Sequence, residues 1–497
     1  MPVPLLLTIS SRLPSTAYLP LLLCITLLAL LYTYARGTSN PRLRDMHART
    51  VLLTTCVPFG AQGGLTPLGL SILDSLASLG AHVILLEPTT SSPSAQLLLP
   101  ALQEQHKNPS LHVAECDLAS PASVREFVGK FARTTPGAGG EQARVDAVVL
   151  CGGYGWRGAG GAEGTAYTER TGGAAGKTEE GAEGAEELGA FLLTTMLLPL
   201  LLRAPGTRDI RLVNVVNPFY AAAFPGFPEL VLPPADAGDE KDGLGGARGE
   251  PGKTGKEKEN GKKKISSFQR EGIRSLRSII WSVYLQRVLD ALVPVPTEPG
   301  PEPELEVLGG KDKVLDEKAR RRRSNILSLA VCPGFSRADV AAPYLGASGP
   351  SATLFGVLRY LLLWPMLFIT LKPPAAAAQS VLYALYAPAS SLASVPSVSP
   401  PTSLPTSPAT DAAAPSASTA KLYGGTLYRE CLPILPPRAV SDWGGESVGR
   451  AVWEGLEERL KALEQLEKEE VGRREAQGGR LETVREEQEP AEPHVDS

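Results

Sequence analysis

The sequence predicts a doubly wound α/β fold built on a parallel sheet. Short apolar runs recur along the chain, stretches with helical spacing separate them, and the first run leads into a glycine-bearing turn. The runs are residues 51–53, 81–86 (AHVILL), 111–114, 145–150 (VDAVVL), 210–216 (IRLVNVV) and 325–331 (NILSLAV). Such continuous apolarity belongs to strands covered on both faces. Helical spacing marks residues 71–79, 191–202 and 268–292, and Ser120-Pro121 opens a further helix. Alternation of this kind closes into a parallel sheet through right-handed crossovers.

The chain has 497 residues, but its 50 glycines and 44 prolines crowd into inserts. Four low-complexity segments, 155–185, 236–264, 294–323 and 388–420, are expected to be disordered loops, because none can bury enough apolar area to offset ordering entropy. What remains supports one domain over 49–463, with a charged tail at 464–497. A net charge of −4 gives no basic field, which argues against nucleic acid as a partner. Six scattered cysteines form no C-x-x-C pair, so neither a disulfide framework nor a metal site is expected.

After a short segment, 1–16, residues 17–35 read AYLPLLLCITLLALLYTYA, uncharged and about long enough to span a hydrocarbon core. Tyr18, Tyr32 and Tyr34 sit at its ends, where amphipathic rings prefer the interface. Arg36, Arg42, Arg44 and Arg49 follow it while only Arg12 precedes it, so the domain is expected on the cytosolic face, at the endoplasmic reticulum. A second apolar run, 354–371, carries Arg359 and Pro365 and reads as a patch dipping into the same membrane face. The bilayer is therefore an expected partner, with a small lipid as an expected ligand.

The turn after the first strand spaces Gly63-x-x-x-Pro67-x-Gly69. Glycines there allow a tight turn and a close approach of diphosphate to a helix N-terminus. Glu87 ends the second strand, Cys116-Asp117-Leu118 the third, and Cys151-Gly152-Gly153 the fourth. Leu188-Gly189-Ala190-Phe191, Val213-Asn214-Val215, Cys332-Pro333-Gly334-Phe335-Ser336-Arg337 and Gly425-Thr426-Leu427-Tyr428 follow in order. In this series the chain resembles the short-chain dehydrogenase/reductase superfamily, and looks closest to membrane-anchored fungal reductase-like and retinol-dehydrogenase-like members. The resemblance implies a Rossmann-like domain with a dinucleotide held by Gly63, Gly69, Glu87, Asp117, Gly152, Pro333 and Gly334. NAD(H) is favoured over NADP(H), because Glu87 would accept from ribose hydroxyls and repel a 2′-phosphate.

The resemblance also implies a catalytic Tyr with a Lys one helical turn later, a Ser and an Asn. None of the 13 tyrosines has Lys at i+4. The matching positions fall at Glu271 for the Tyr, Ser275 for the Lys, Asn217 for the Ser and Glu186 for the Asn. The expectation is thus a degenerate, reductase-like pseudoenzyme acting as a nucleotide-binding or scaffold protein. The alternative is an active NAD(P)-dependent oxidoreductase on a lipid ketone or alcohol, using unconventional residues. Near the C-terminus, Val452, Leu456, Leu460 and Leu463 form a helical stripe that suits docking on the domain, or a protein partner.

Overall fold

Eight strands form one sheet in the order β3-β2-β1-β4-β5-β6-β7-β8. They are β1 (Thr50–Thr54), β2 (His82–Glu87), β3 (Leu111–Glu115), β4 (Ala147–Gly153), β5 (Ile210–Val216), β6 (Ile326–Cys332), β7 (Leu427–Arg429) and β8 (Leu432–Ile434). All pair in parallel except the hairpin of β7 with β8, which turns through Glu430 and Cys431 at φ of 54° and 60°. The computed structural model describes residues 18–54, 64–92, 94–133, 144–156, 185–229, 231–232, 266–293, 324–348, 352–390 and 421–488. Nearly all of the four inserts falls outside these residues, as does the glycine turn at 55–63.

The helices are α1 (Tyr18–Arg36), α2 (Pro67–Ser78), α3 (Leu99–His106), α4 (Pro121–Arg133), α5 (Ala185–Leu202), α6 (Ser267–Ala291), α7 (Leu354–Thr370), α8 (Pro374–Tyr386) and α9 (Gly445–Gln488). One face of the sheet is covered by α4, α5, α6 and α9, the other by α2, α3 and α8, each with its own apolar core. Every residue of β5 and β6 is buried, as their apolar runs require. Local chemistry sets the helix starts. Ser266 and Gln269 form a reciprocal capping box at α6, and Thr66 caps α2 by accepting from the Gly69 amide at 3.1 Å. Gly189 is obligatory where α5 meets the loop after β3, since a Cβ there would lie 1.8 Å from the Leu118 carbonyl oxygen.

Arg211 interrupts the apolar run of β5 yet is buried. Its guanidinium donates to the Ala384 and Ala387 carbonyls at the end of α8, at 2.8 and 2.7 Å, and pairs with Asp209 at 2.9 Å. Burial lowers its pKa to about 10 against the pull of Asp209.

Among the described residues, one helix is long and apolar enough to cross a membrane: α5, which is half buried as a core helix. The apolar stretch Leu22–Arg36 of α1 is shorter than such a span, so the fold does not support the transmembrane helix expected over 17–35. Leu354–Thr370 is likewise a shorter apolar helix. The stripe Val452, Leu456, Leu460 and Leu463 is buried on the domain, and α9 continues as helix through the segment expected to be a tail. Glu467 of α9 accepts from the Ala122 amide at 3.2 Å and from the Ser120 hydroxyl, so it caps α4.

Candidate functional site

The strand order turns back between β1 and β4, and open parallel sheets bind ligands at the carboxyl ends beside such a point. On the nucleotide side, Gly63 lies outside the described residues. Pro67, in the place of a family glycine, is the first residue of α2, where a missing amide and a fixed φ suit the helix. The Leu68 amide that follows is already engaged: it donates to Asp339 Oδ1 at 3.1 Å. Asp339 lies in the turn after β6, Arg337–Ala341, and accepts the Ser336 hydroxyl on its other oxygen at 2.7 Å. Burial pushes the Asp339 carboxyl up, while the hydrogen bonds from Ser336 and Leu68 pull it partly back. A side-chain carboxylate thus sits on the helix-start amide that a diphosphate would need.

Glu87 is wholly buried, and its carboxylate accepts the Ser92 hydroxyl. Asp117 accepts from the Ala119 amide at 2.9 Å and shapes the turn into α4. Gly152 lies at the end of β4 beside Gly153, where a Cβ would meet the Val215 carbonyl oxygen at 2.7 Å. The Pro333 carbonyl accepts from the buried Lys372 at 3.3 Å, and Lys372 is ion-paired with Glu430. Gly334 has φ +90°, and its carbonyl accepts the Tyr154 hydroxyl at 2.8 Å. Tyr154 is fully buried and so ties the end of β4 to the end of β6, and burial raises its phenol pKa well above the ordinary value. As they stand, the described residues do not fit a bound dinucleotide: the Leu68 amide is taken and Glu87 is closed off.

The four catalytic positions are packed rather than presented. Glu271 is 3 % exposed and pairs with Arg274 at 2.5 Å. Arg274 in turn donates to the Gly155 carbonyl at 3.0 Å, which also accepts from Asn217 at 3.3 Å. Asn217 is fully buried and caps the 3-10 turn Pro218–Ala223 through the Phe219 amide at 3.1 Å. Ser275 is 1 % exposed, and its hydroxyl has no hydrogen-bond partner. Glu186 borders a cavity of about 10 Å³ shared with Gly152, Asn214, Arg274 and Trp281, room for about one water. The Arg274 Nε and Nη1 and Trp281 Nε1 donors are buried there without partners. Glu271, Ser275 and Asn217 are brought to one end of the sheet, but among the described residues these positions offer no proton donor to an open space.

Beside them lies a roomier cleft that the sequence reading missed. A cavity of about 280 Å³ is bounded by Phe219, Phe268, Phe335, Tyr344 and the leucines of α7. Trp156 backs this wall, with ring centroids 5.1 Å from Phe219, 5.2 Å from Phe268 and 5.1 Å from Tyr344. The only sequence signal was the density of aromatics at strand ends, spread across three distant segments.

No protein-family profile matches the chain. A curated relative, the uncharacterised oxidoreductase pbr1 of Schizosaccharomyces pombe, is 27% identical over 213 residues, covering 42% of this chain and 50% of that protein. The chain therefore matches about half the length of that relative. It is similar to a protein of Mycobacterium paratuberculosis at 16% identity and TM-score 0.41, over 86% of this chain and 98% of that one. It is similar to a Pseudomonas aeruginosa short chain oxidoreductase containing an atypical catalytic center at 13% identity and TM-score 0.35, over 69% and 92%. An actinorhodin polyketide ketoreductase with NADPH gives 15% identity and TM-score 0.34, over 68% and 90%. The oxidoreductase relative, the sheet order and the motif series agree. The likeness is to the short-chain dehydrogenase/reductase superfamily. Glu271, Ser275, Asn217 and Glu186 are the residues that the sequence resemblance sets against that superfamily's Tyr, Lys, Ser and Asn. Among its described residues no cluster of His, Cys, Asp or Glu could hold a metal ion.

Proposed function

We propose that this protein is a membrane-docked, catalytically degenerate member of the superfamily that serves as a scaffold rather than a reductase. One observation carries the reading: Glu271, Asn217 and Ser275 are buried, and the cavity that Glu186 borders holds only about 10 Å³. A carbonyl substrate cannot meet a proton donor there without the packing coming apart. Docking rests on α1 and α7. Both are apolar and exposed along their length, and they meet where Tyr32 stacks on Phe368 at 5.7 Å. In this reading α1 anchors the chain in the endoplasmic-reticulum membrane, α7 lies in its cytosolic face, and the C-terminal helix offers a contact to a protein partner.

The second reading, an active oxidoreductase on a lipid ketone or alcohol, is favoured only by the apolar cavity next door. Oxidation of NADH and NADPH by the full chain in lipid nanodiscs, across sterol, sphingoid and acyl ketones, separates the two. We expect no turnover above the protein-free rate. Stoichiometric NADH oxidation that Glu271→Ala abolishes would establish the oxidoreductase.

A further inference from the structure

The apolar cavity and the exposed face of α7 are two sides of one helix. Leu363, Leu367 and Leu371 recur at every fourth residue and line the cavity. On the other side Leu354, Leu358, Leu361, Leu362 and Met366 are 61–89 % exposed. A helix that is apolar all round is covered all round in its working state, by protein or by hydrocarbon. The domain covers one side of α7 and leaves the other bare, and the bare side adjoins the exposed leucines of α1.

The polar boundary of this surface is marked as well. Where the two helices meet, Arg36 lies over the Tyr32 ring at 4.7 Å and Arg337 over the Phe368 ring at 5.0 Å. Two guanidiniums on a pair of stacked rings suit the level of lipid phosphates, with hydrocarbon to one side. Arg337 directly follows Ser336, the one hydroxyl bordering the cavity apart from that of Tyr344. That hydroxyl is spent on Asp339, so the inner cavity has little with which to read a polar group.

We infer that the cavity is a binding site for one hydrocarbon chain of a bilayer phospholipid, which enters past α7 while its phosphate stays at Arg36 and Arg337. A volume of about 280 Å³ takes part of one acyl chain and leaves no room for a second. The inference rests on the membrane docking proposed above, and its test separates the two.

Two tryptophans make that separation. Trp364 lies on the partly exposed face of α7, whereas Trp156 stands behind the cavity wall. Trp281, Trp443 and Trp453 belong to the opposite core. Full-length protein is mixed with phosphatidylcholine vesicles carrying brominated acyl chains, which quench a nearby tryptophan at short range, even across one intervening ring. In the Trp156→Phe background, loss of Trp364 emission reports docking. In the Trp364→Phe background, loss of Trp156 emission reports a chain in the cavity, and Ala341→Phe, which fills it, abolishes only that second loss. The milder Leu363→Phe should weaken the Trp156 signal if Ala341→Phe fails to fold. Quenching of Trp364 without Trp156 would overturn the lipid site and leave docking standing. No quenching of either would overturn both. Equal quenching of Trp156 by a brominated free fatty acid without vesicles would overturn the bilayer as the source.

Discussion

Asp339 shows how one residue decides what the nucleotide end can do. Its carboxylate holds the Leu68 amide and the Ser336 hydroxyl in a nearly dry setting. Because burial raises its folded pKa above the reference value of 3.8, the folded state holds its proton more tightly than the unfolded one. Stability from this group is complete below that value and is lost as pH rises through the folded pKa. Asp339→Asn keeps an acceptor for Leu68 but cannot ionise. The variant should therefore gain on the wild type as pH rises from about 4 toward neutrality, measured as the difference in urea-unfolding free energy. A difference flat with pH would refute the assignment. The catalytic positions lead to a second expectation. Glu271 and Ser275 are 3 % and 1 % exposed, so replacing them by the family's Tyr and Lys places a phenol and an ammonium where there is no substrate. The double variant Glu271→Tyr, Ser275→Lys should show no ketone-dependent NADH oxidation, and measurable turnover would mean that the site opens.

At the scale of elements, the first half of α9 is fastened to the domain. Val452, Leu456, Leu460 and Leu463 are buried against the sheet-covering helices, and Trp453 meets Phe191 at 4.7 Å and Tyr284 at 5.8 Å between ring centroids. Leu456→Ala should lower unfolding free energy by about 2–5 kcal/mol, the range for a buried leucine. Deleting everything after Val471 should leave the melting temperature nearly unchanged, since the capping Glu467 is retained. A large loss on that deletion would show that the extreme helix belongs to the core. The sequence made strands β1 to β6 legible because each carries a short run rich in apolar residues. It hid α8, whose PAAAAQS start resembles the low-complexity inserts until the buried Val381, Leu382 and Leu385 are seen in place. At the site, the lack of any Tyr with Lys at i+4 was legible because it needs only spacing. The engagement of Leu68 by Asp339 was not, since 271 residues separate the partners. The aromatic cleft was hidden for the same reason: Trp156, Phe219 and Phe268 converge only once β4, β5 and α6 have come together.

For the whole molecule, the question is how the domain sits against a bilayer. The chain leaving α1 does not swing freely. Thr38 donates its amide to the Glu430 carboxylate at 3.1 Å and its hydroxyl to the Glu430 carbonyl at 2.6 Å, and Glu430 is ion-paired with the buried Lys372, next to the end of α7. Further on, the Asn40 amide donates to Gln379 of α8 at 3.0 Å, and Arg44 pairs with Asp209 at 3.5 Å. The segment from α1 to β1 is thus strapped across the domain, and α1 emerges at a fixed place beside α7. Arg36, Arg42, Arg44 and Arg49 all follow α1 while Arg12 precedes it, and in the proposed membrane-anchored arrangement such a bias would hold the charged side in the cytosol. We therefore expect protease added to sealed microsomes to digest the end of α9 without detergent, and full protection of that end would refute the orientation. Two modes of attachment should also separate under alkaline carbonate. The full chain should stay with the membrane pellet, whereas a chain lacking residues 1–36 should float with vesicles at neutral pH through α7 and be released by carbonate. Release of the full chain by carbonate would mean that α1, like α7, lies on the bilayer without spanning it, and failure of the shortened chain to float would remove α7 as a docking surface.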